Sequence, residues 1–322
     1  MAMNALNISV TNDTTIPDER LAVVLSVIFV FIPGCLLNII AIFIIVKDFK
    51  TLQTPTNTLL FLLILFDLIA LFNSYMWLVI DKNYSIPALT CQIKKIINPL
   101  FLFYTGILSL VLAIDRYIAL NFAFFYRTRI SFKLWLYVAF AALLFSLFIG
   151  SLPLMGYGSS YEDFSNHRLQ SCGSFDYEKD PLKRVFGITQ PSIGLIVIIC
   201  IVIFNTLTIR TVLQMKMRIR AQELQMGQGH LPSHEILFAN LVTVMTLGFI
   251  VCWTPFNIMN ILESTGQLLS PSLKALMHSI TGLSFCIDPL LYVWIRKSVR
   301  KKVVAAFRNC IRCKHSSDPN LR

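Results

Sequence analysis

Charge is scarce along this chain. Charged residues make up 14% of its 322 positions and hydrophobic ones 56%, whereas a soluble domain carries about a quarter charged residues. That deficit excludes an ordinary water-soluble globule and points to a protein whose solvent is largely lipid. Other absences narrow the field. There is no internal repeat, low-complexity tract or long linker, so one bundle domain fills the chain; the lack of two similar halves argues against the inverted-repeat transporters. Residues 1–20 lack a charged start followed by an apolar core, so no cleaved signal peptide is expected and the first helix serves as anchor. No His-Glu-x-x-His, no Gly-x-Ser-x-Gly and no ligand cluster at metal spacing occurs, which leaves an intramembrane enzyme without support.

Long apolar runs are what the sequence has instead. A helix needs roughly 20 mostly apolar residues to cross the hydrocarbon core, and unpaired backbone amides in lipid are too costly for anything but helices or closed barrels. Seven stretches qualify: Leu21 to Val46, Thr58 to Ile80, Ile96 to Leu120, Leu134 to Met155, Phe186 to Met215, Ile236 to Leu262 and Leu273 to Ile295. Barrel strands would be half as long and strictly alternating. The expected fold is an all-α membrane protein, a seven-transmembrane helix bundle.

The bases orient it. Most of the 28 Lys and Arg residues flank the even-numbered turns and the C-terminal tail, from Lys47 and Lys50 through Arg127, Arg129, Lys133 and Arg210 to Arg296 and beyond. That side is expected to be cytoplasmic. The N-terminus then lies outside, where Asn7 and Asn12 head glycosylation triplets; a third triplet at Asn83 lies close to the membrane. The expected organisation is an extracellular N-terminus (1–20), the bundle (21–295) and a cytoplasmic tail (296–322). The bases sit at helix ends, which suits anionic lipids and a cytosolic partner better than nucleic acid. In the tail, Val299, Val303 and Phe307 fall on one helical face with bases opposite, the pattern of a short amphipathic helix on the inner membrane surface. Cys310 and Cys313 follow it, either as palmitoylation sites or as free cytosolic thiols.

Cys35, Cys200, Cys252 and Cys286 lie within spans and read as small core residues. Cys91 and Cys172 are the two facing the oxidising side and are expected to form a disulfide that pins the outer loop over the bundle.

Ionisable groups inside a membrane are costly and usually mark function. Asp67 and Asp288 have no basic neighbour at their depth, and Asn38, Thr105 and Ser284 lie within reach of a shared pocket. Two close carboxylates coordinate a cation, share a proton, or stand protonated and merely hydrogen-bonded. A sodium ion is the one candidate cation; no other cofactor is expected. Pro255 and Pro289 interrupt their helices and create places to bend, and Trp253 stands two residues before the first of them.

Taken in order, Gly34-x3-Asn38, Leu63-x3-Asp67, Cys91, Asp115-Arg116-Tyr117, Cys252-Trp253-Thr254-Pro255 and Asp288-Pro289-x2-Tyr292 resemble the rhodopsin-like G-protein-coupled receptors over nearly the whole chain. The resemblance implies that Arg116 pairs with Asp115 and with an acid on the sixth helix, for which Glu235 is placed. It implies too that on activation Arg116, with Tyr117, Phe124 and Tyr292, lines a cavity for a heterotrimeric G protein. It bears on the ligand as well. The retinal-bearing lysine of the light sensors is replaced by Gly282, and the aspartate of the amine receptors by Asn98.

A narrower resemblance is carried by "RYIALNFAFFYRTR", with Ala123 where most of the superfamily has proline, by "LPLMGYGSS", by Asp288-Pro289 and by "NTLTIRTVLQM". These are similar to the prostanoid receptors, closest to those for prostaglandin E, and imply a plasma-membrane receptor for a small lipid-like ligand, coupled to adenylyl cyclase. The chain departs from that branch at the carboxylate-binding arginine, replaced by Ser279 beside His278, at Ser171-Cys172 in place of Trp-Cys, and in possessing Trp253. Lys94, Lys95, Lys183 and Arg184 are the bases able to replace the missing charge, or they simply sit at the interface. A peptide or other non-prostanoid ligand is the alternative, compatible with the acidic loop segments "SYEDF" and "DYEKD". An ion transporter or channel is a remote one, for the seventh helix offers little polar lining outside.

Overall fold

The computed structural model describes residues 25–47, 55–83, 88–155, 181–226, 233–267 and 269–295. The first span, Val27–Lys47, opens with a π-helical turn over Val27–Phe31 and continues as α1, Ile32–Lys47. Then come α2 (Pro55–Asn83), α3 (Ala88–Asn121), the short α4 (Ala123–Arg129) and α5 (Phe132–Ser151), which ends in a 3₁₀ turn at Leu152–Met155. The chain continues through α6 (Pro181–Met226), α7 (Ser233–Ser264) and α8 (Pro271–Ile295). Over their described residues all seven expected spans are helical, and no strand occurs among the described residues.

The helices outrun the apolar stretches from which they are expected. α3 begins before Ile96 and α6 continues past Met215, because polar turns extend a helix beyond the hydrocarbon without needing apolar side chains. Five helices are long and apolar enough over their described residues to cross a bilayer; the sixth and seventh expected spans coincide with α7 and α8.

α3 packs against α2, α5 and α6; α1 touches α2 and α8, and α7 closes the ring between α6 and α8. The largest apolar cluster joins α1, α2, α3 and α5 through Ile45, Leu63, Ile64, Leu108 and Trp135. The outward faces carry Phe29, Phe43 and Tyr137, 65%, 66% and 71% exposed, as expected where lipid tails replace water. Small residues set the close contacts. A Cβ at Gly150 on α5 would lie 2.8 Å from the Ile96 carbonyl oxygen on α3, and one at Gly34 on α1 2.7 Å from Leu71 on α2, the membrane pattern of small residues at helix crossings. Pro99 and Pro191 join Pro255 and Pro289 as prolines inside helices. Between α7 and α8 the chain turns at Gly266, whose φ of +89° suits glycine.

Candidate functional site

The polar side chains of the bundle form three levels. At the inner end, Asp115 of α3 is fully buried. Its carboxylate accepts a hydrogen bond from Thr56 Oγ1 at 2.6 Å and another from the Tyr126 hydroxyl at 2.7 Å, short distances typical of a charged acceptor. Burial pushes the Tyr126 phenol up to about 12, so it remains a donor at neutral pH. α4 and the start of α2 are thereby clamped to α3. Arg116, the next residue, lies in the field of Asp115 and Tyr126. Tyr117 sets its ring edge-on to Phe122 and Phe204, at 6.2 and 5.7 Å, and Thr211 of α6 donates to Asn121 at 2.9 Å. Phe124, on α4, is 83% exposed. Glu235 and Tyr292 lie on α7 and α8, but their side chains are outside the described residues, as is the Arg116–Glu235 contact.

In the middle, Asp67 of α2 and Asp288 of α8 are both buried and act on each other electrostatically. Neither Asp67 oxygen accepts a hydrogen bond among the described residues, and the Asn38 Oδ1 and Ser109 Oγ atoms are likewise buried without a partner. Asn38 instead spends its amide protons on the Gly34 and Phe285 carbonyls, at 2.8 and 2.9 Å. Thr105 and Ser284 bond to carbonyls of their own helices. Several buried oxygens at this level are thus unsatisfied among the described residues. No group of three or more His, Cys, Asp or Glu side chains among the described residues could hold a metal ion, but a hard monovalent cation takes hydroxyl, amide and carboxylate oxygens, and that donor set fits it. Cys35, Cys200, Cys252 and Cys286 carry free thiols; Cys35 and Cys252 are buried, as core residues are, whereas Cys200 and Cys286 are half-buried.

Trp253 stacks on Phe249, centroids 5.4 Å apart, and faces Gly106 of α3, where a Cβ would lie 3.7 Å from the indole. Thr281 of α8 donates to the Cys252 carbonyl at 3.1 Å, tying the two proline-bearing helices together beside Pro255.

At the outer level α2 and α3 run antiparallel and place two pairs of side chains opposite each other. Asn73 Nδ2 donates to Asn98 Oδ1 at 2.7 Å, and the Trp77 indole N–H donates back to Asn73 Oδ1 at 2.9 Å. The Lys94 ammonium stands over the Trp77 ring, 5.9 Å from its centroid. His278 of α8 packs edge-on to Phe256 at 5.1 Å and feels the charges of Glu263, Lys94 and Lys274. The Ser279 hydroxyl meets Ser26 at 2.8 Å, directed at the start of the first span. An apolar recess of about 360 Å³ opens between α7 and α8, lined by Pro255, Met259, Leu262, Leu273 and Met277.

Several expected sites lie outside the described residues: Asn7, Asn12, Cys172, Cys310, Cys313 and the C-terminal surface helix entirely, Cys91, Lys95 and Lys183 in their side chains. Thr56, Tyr126, Asn73, Trp77 and Ser109 escape sequence reasoning. Asn73 carries a signal that could have found it, a lone amide inside an apolar span; Thr56 and Tyr126 flank spans, where polar residues are ordinary.

Helices of this number, with buried acids along their interior and a clamped Asp-Arg-Tyr at one end, define a multi-pass membrane receptor. Residues 37–292 match the 7 transmembrane receptor (rhodopsin family), and the chain belongs to that family. It is a receptor and not an enzyme, answering an extracellular ligand by engaging a G protein. Similar proteins include the prostaglandin F2-alpha receptor of Homo sapiens, 24% identical over 93% of this chain and 85% of that protein. The neuromedin-U receptor 2 of Rattus norvegicus is 24% identical over 91% and 76%, and the C-C chemokine receptor type 4 of Homo sapiens 26% identical over 88% and 77%.

Proposed function

We propose that this receptor lies in the plasma membrane with its N-terminus outside and binds a small, lipid-like, prostanoid-type ligand. What carries the reading is the run from Arg116 to Arg129 with the loop after α5, similar to the prostanoid branch, together with a likeness to a prostaglandin F2-alpha receptor along nearly the whole chain. The apolar recess between α7 and α8 supports it, being suited to hydrocarbon.

In this reading the Asp115 clamp, and the pairing of Arg116 with Glu235, hold the resting state. Ligand pressing on Trp253 moves α7 about Pro255, and Arg116, Tyr117, Phe124 and Tyr292 receive the G protein. Coupling between such sites is typically ~1–3 kcal/mol, and a ligand that turns a 1:99 population to 99:1 must favour the active state by roughly 5.5 kcal/mol. A sodium ion at Asp67, Thr105, Ser284 and Asp288 would supply the positive charge that two buried carboxylates lack. Cys91 and Cys172 form the outer disulfide, Asn7 and Asn12 carry glycans, and the tail rests on the inner leaflet, palmitoylated at Cys310 and Cys313.

The test is cAMP and calcium in cells expressing the chain, challenged with a panel of prostaglandins beside Arg116→Ala and Glu235→Ala variants. A saturable response lost in Arg116→Ala supports the reading. Silence to every prostanoid, with a raised basal signal in Glu235→Ala, keeps the receptor and discards the ligand class. A peptide ligand is the second reading, favoured by the acidic segments "SYEDF" and "DYEKD" and by likeness to receptors named for neuromedin U and chemokines; those peptides are its panel.

A further inference from the structure

From the seam between α7 and α8 we infer that the apolar recess there is a membrane-facing site which, in the absence of ligand, holds a sterol of the surrounding leaflet. The inference concerns the wall of the bundle and stands whichever ligand the receptor answers.

Two ties hold α7 to α8, and the recess lies between them. At its inner end Thr281 donates to the Cys252 carbonyl at 3.1 Å; at its outer end Lys274 pairs with Glu263. Over the turns between, Pro255 interrupts the backbone bonding of α7, and about 360 Å³ is left open beside it. The lining is almost entirely apolar, with Pro255, Ile258, Met259 and Leu262 on one wall and Leu273 and Met277 on the other.

The recess faces the membrane. Ile258 is 45% exposed and shares a lipid-facing stripe with Val251, seven residues before it. Leu273 is 38% exposed and stands beside Leu276, which with Leu283 forms the matching stripe on α8. Within a bilayer such a hollow fills with hydrocarbon, because water finds no polar partners in it.

Its length and its polar end select among the lipids. From Thr254 to Leu262 the lining runs about 12 Å along the helix, less than the roughly 15 Å that one leaflet's half of the hydrocarbon core provides. Glu263 continues the row of Pro255 and Met259 at intervals of four, and Lys274 precedes Met277 by three, so both charged groups stand on the lining faces at the outer end of the recess. The Lys274 ammonium donates to Glu263 Oε1; Oε2 has no partner among the described residues and is the acceptor offered to a hydroxyl. A short apolar body bearing a hydroxyl directly upon it meets both demands, and a sterol is such a body. An acyl chain overruns the hollow and carries its polar head on glycerol instead. Rigidity adds to the fit, since fused rings have little conformational freedom to lose on binding. Wedged between the two ties beside Pro255, the sterol resists any change in the separation of α7 and α8 where α7 is free to bend.

The experiment uses the purified full-length receptor, without ligand, in phosphatidylcholine nanodiscs containing a photoreactive diazirine cholesterol, with the labelled peptides mapped by mass spectrometry. Labelling should concentrate on residues 254–262 and 269–277. It should fall to the level of the other helices in Leu273→Trp and in Ile258→Trp, which fill the recess from opposite walls, both at the native unfolding temperature. Val251→Trp, on the same lipid-facing stripe but outside the recess, should label as the native protein does. Unlabelled cholesterol should displace the probe about tenfold better than its 3-methyl ether, the advantage of a hydroxyl that donates to a carboxylate, and replacing the pair by Glu263→Met with Lys274→Met should shrink that advantage below about threefold. Labelling retained in the double variant shows it to be folded. Label spread evenly over the lipid-facing helices, or undiminished in both filled variants, overturns the site. Label confined to the recess but displaced equally by cholesterol and its methyl ether overturns the sterol assignment and gives the hollow to lipid chains in general.

Discussion

Tyr126 donates to Asp115 from a seven-residue helix that no apolar periodicity announces. Removing its hydroxyl takes one donor from a buried carboxylate that Thr56 also serves. Tyr126→Phe should therefore destabilise the resting bundle by about 1.5–3 kcal/mol, the range for hydrogen bonds to charged groups, measurable as a lower unfolding temperature and as raised basal signalling. Equal thermal stability and an unchanged basal signal would show that the clamp contributes nothing. A second residue-scale case is Gly106. Its absent side chain leaves the Trp253 indole room against α3; Gly106→Leu would fill that space and displace the ring. Agonist efficacy should change in this variant while surface expression holds. The middle acids also belong here: if sodium occupies their pocket, Asp67→Asn should abolish any dependence of agonist affinity on sodium concentration, whereas native affinity shifts as sodium replaces potassium.

At the scale of the helix, the sequence is most legible where lipid dictates composition. Each of the seven apolar stretches is helical over its described residues, since nothing else satisfies its backbone in hydrocarbon. Legibility fades at the ends, because a polar turn such as Lys216 to Met226 is equally compatible with helix or loop by composition. It fades too at contacts between helices. Asp67 and Asp288 announce themselves by charge, but that Asn73 reaches Asn98, or Thr281 reaches Cys252, depends on helix rotation and register, which no single helix encodes. Gly150 illustrates the same limit: it reads as a small residue among many, yet its hydrogen faces the Ile96 carbonyl at a crossing. Gly150→Val should force α3 and α5 apart, costing roughly 1–3 kcal/mol as overpacking does. Reduced yield of folded receptor at the cell surface would register it; wild-type yield would mean that the crossing is tolerant.

For the whole molecule, the asymmetry of the bases is the main determinant of orientation. An epitope fused before Met1 should be stained on intact cells, and one fused after Arg322 only after permeabilisation; the reverse pattern would invert the topology and place Lys94 and Asn98 on the cytoplasmic side. The family was legible from motifs on five of the seven spans, the first three and the last two, because each polar residue in a span stands out against its neighbours. The ligand was much less so, because an apolar chamber is lined by residues that serve equally well as core.

α6 has 46 residues, about 69 Å of helix at 1.5 Å per residue, more than twice the roughly 30 Å thickness of the hydrocarbon core. It contains Pro191 near its outer end and finishes at Met226. Those two points are about 50 Å apart, so a bend of only about 10° at the proline sweeps the far end through about 9 Å. In the orientation proposed above, the helix would act as a pointer whose pivot lies toward the outer mouth and whose tip lies in the cytosol, so that a small displacement at one end becomes a wide one at the other.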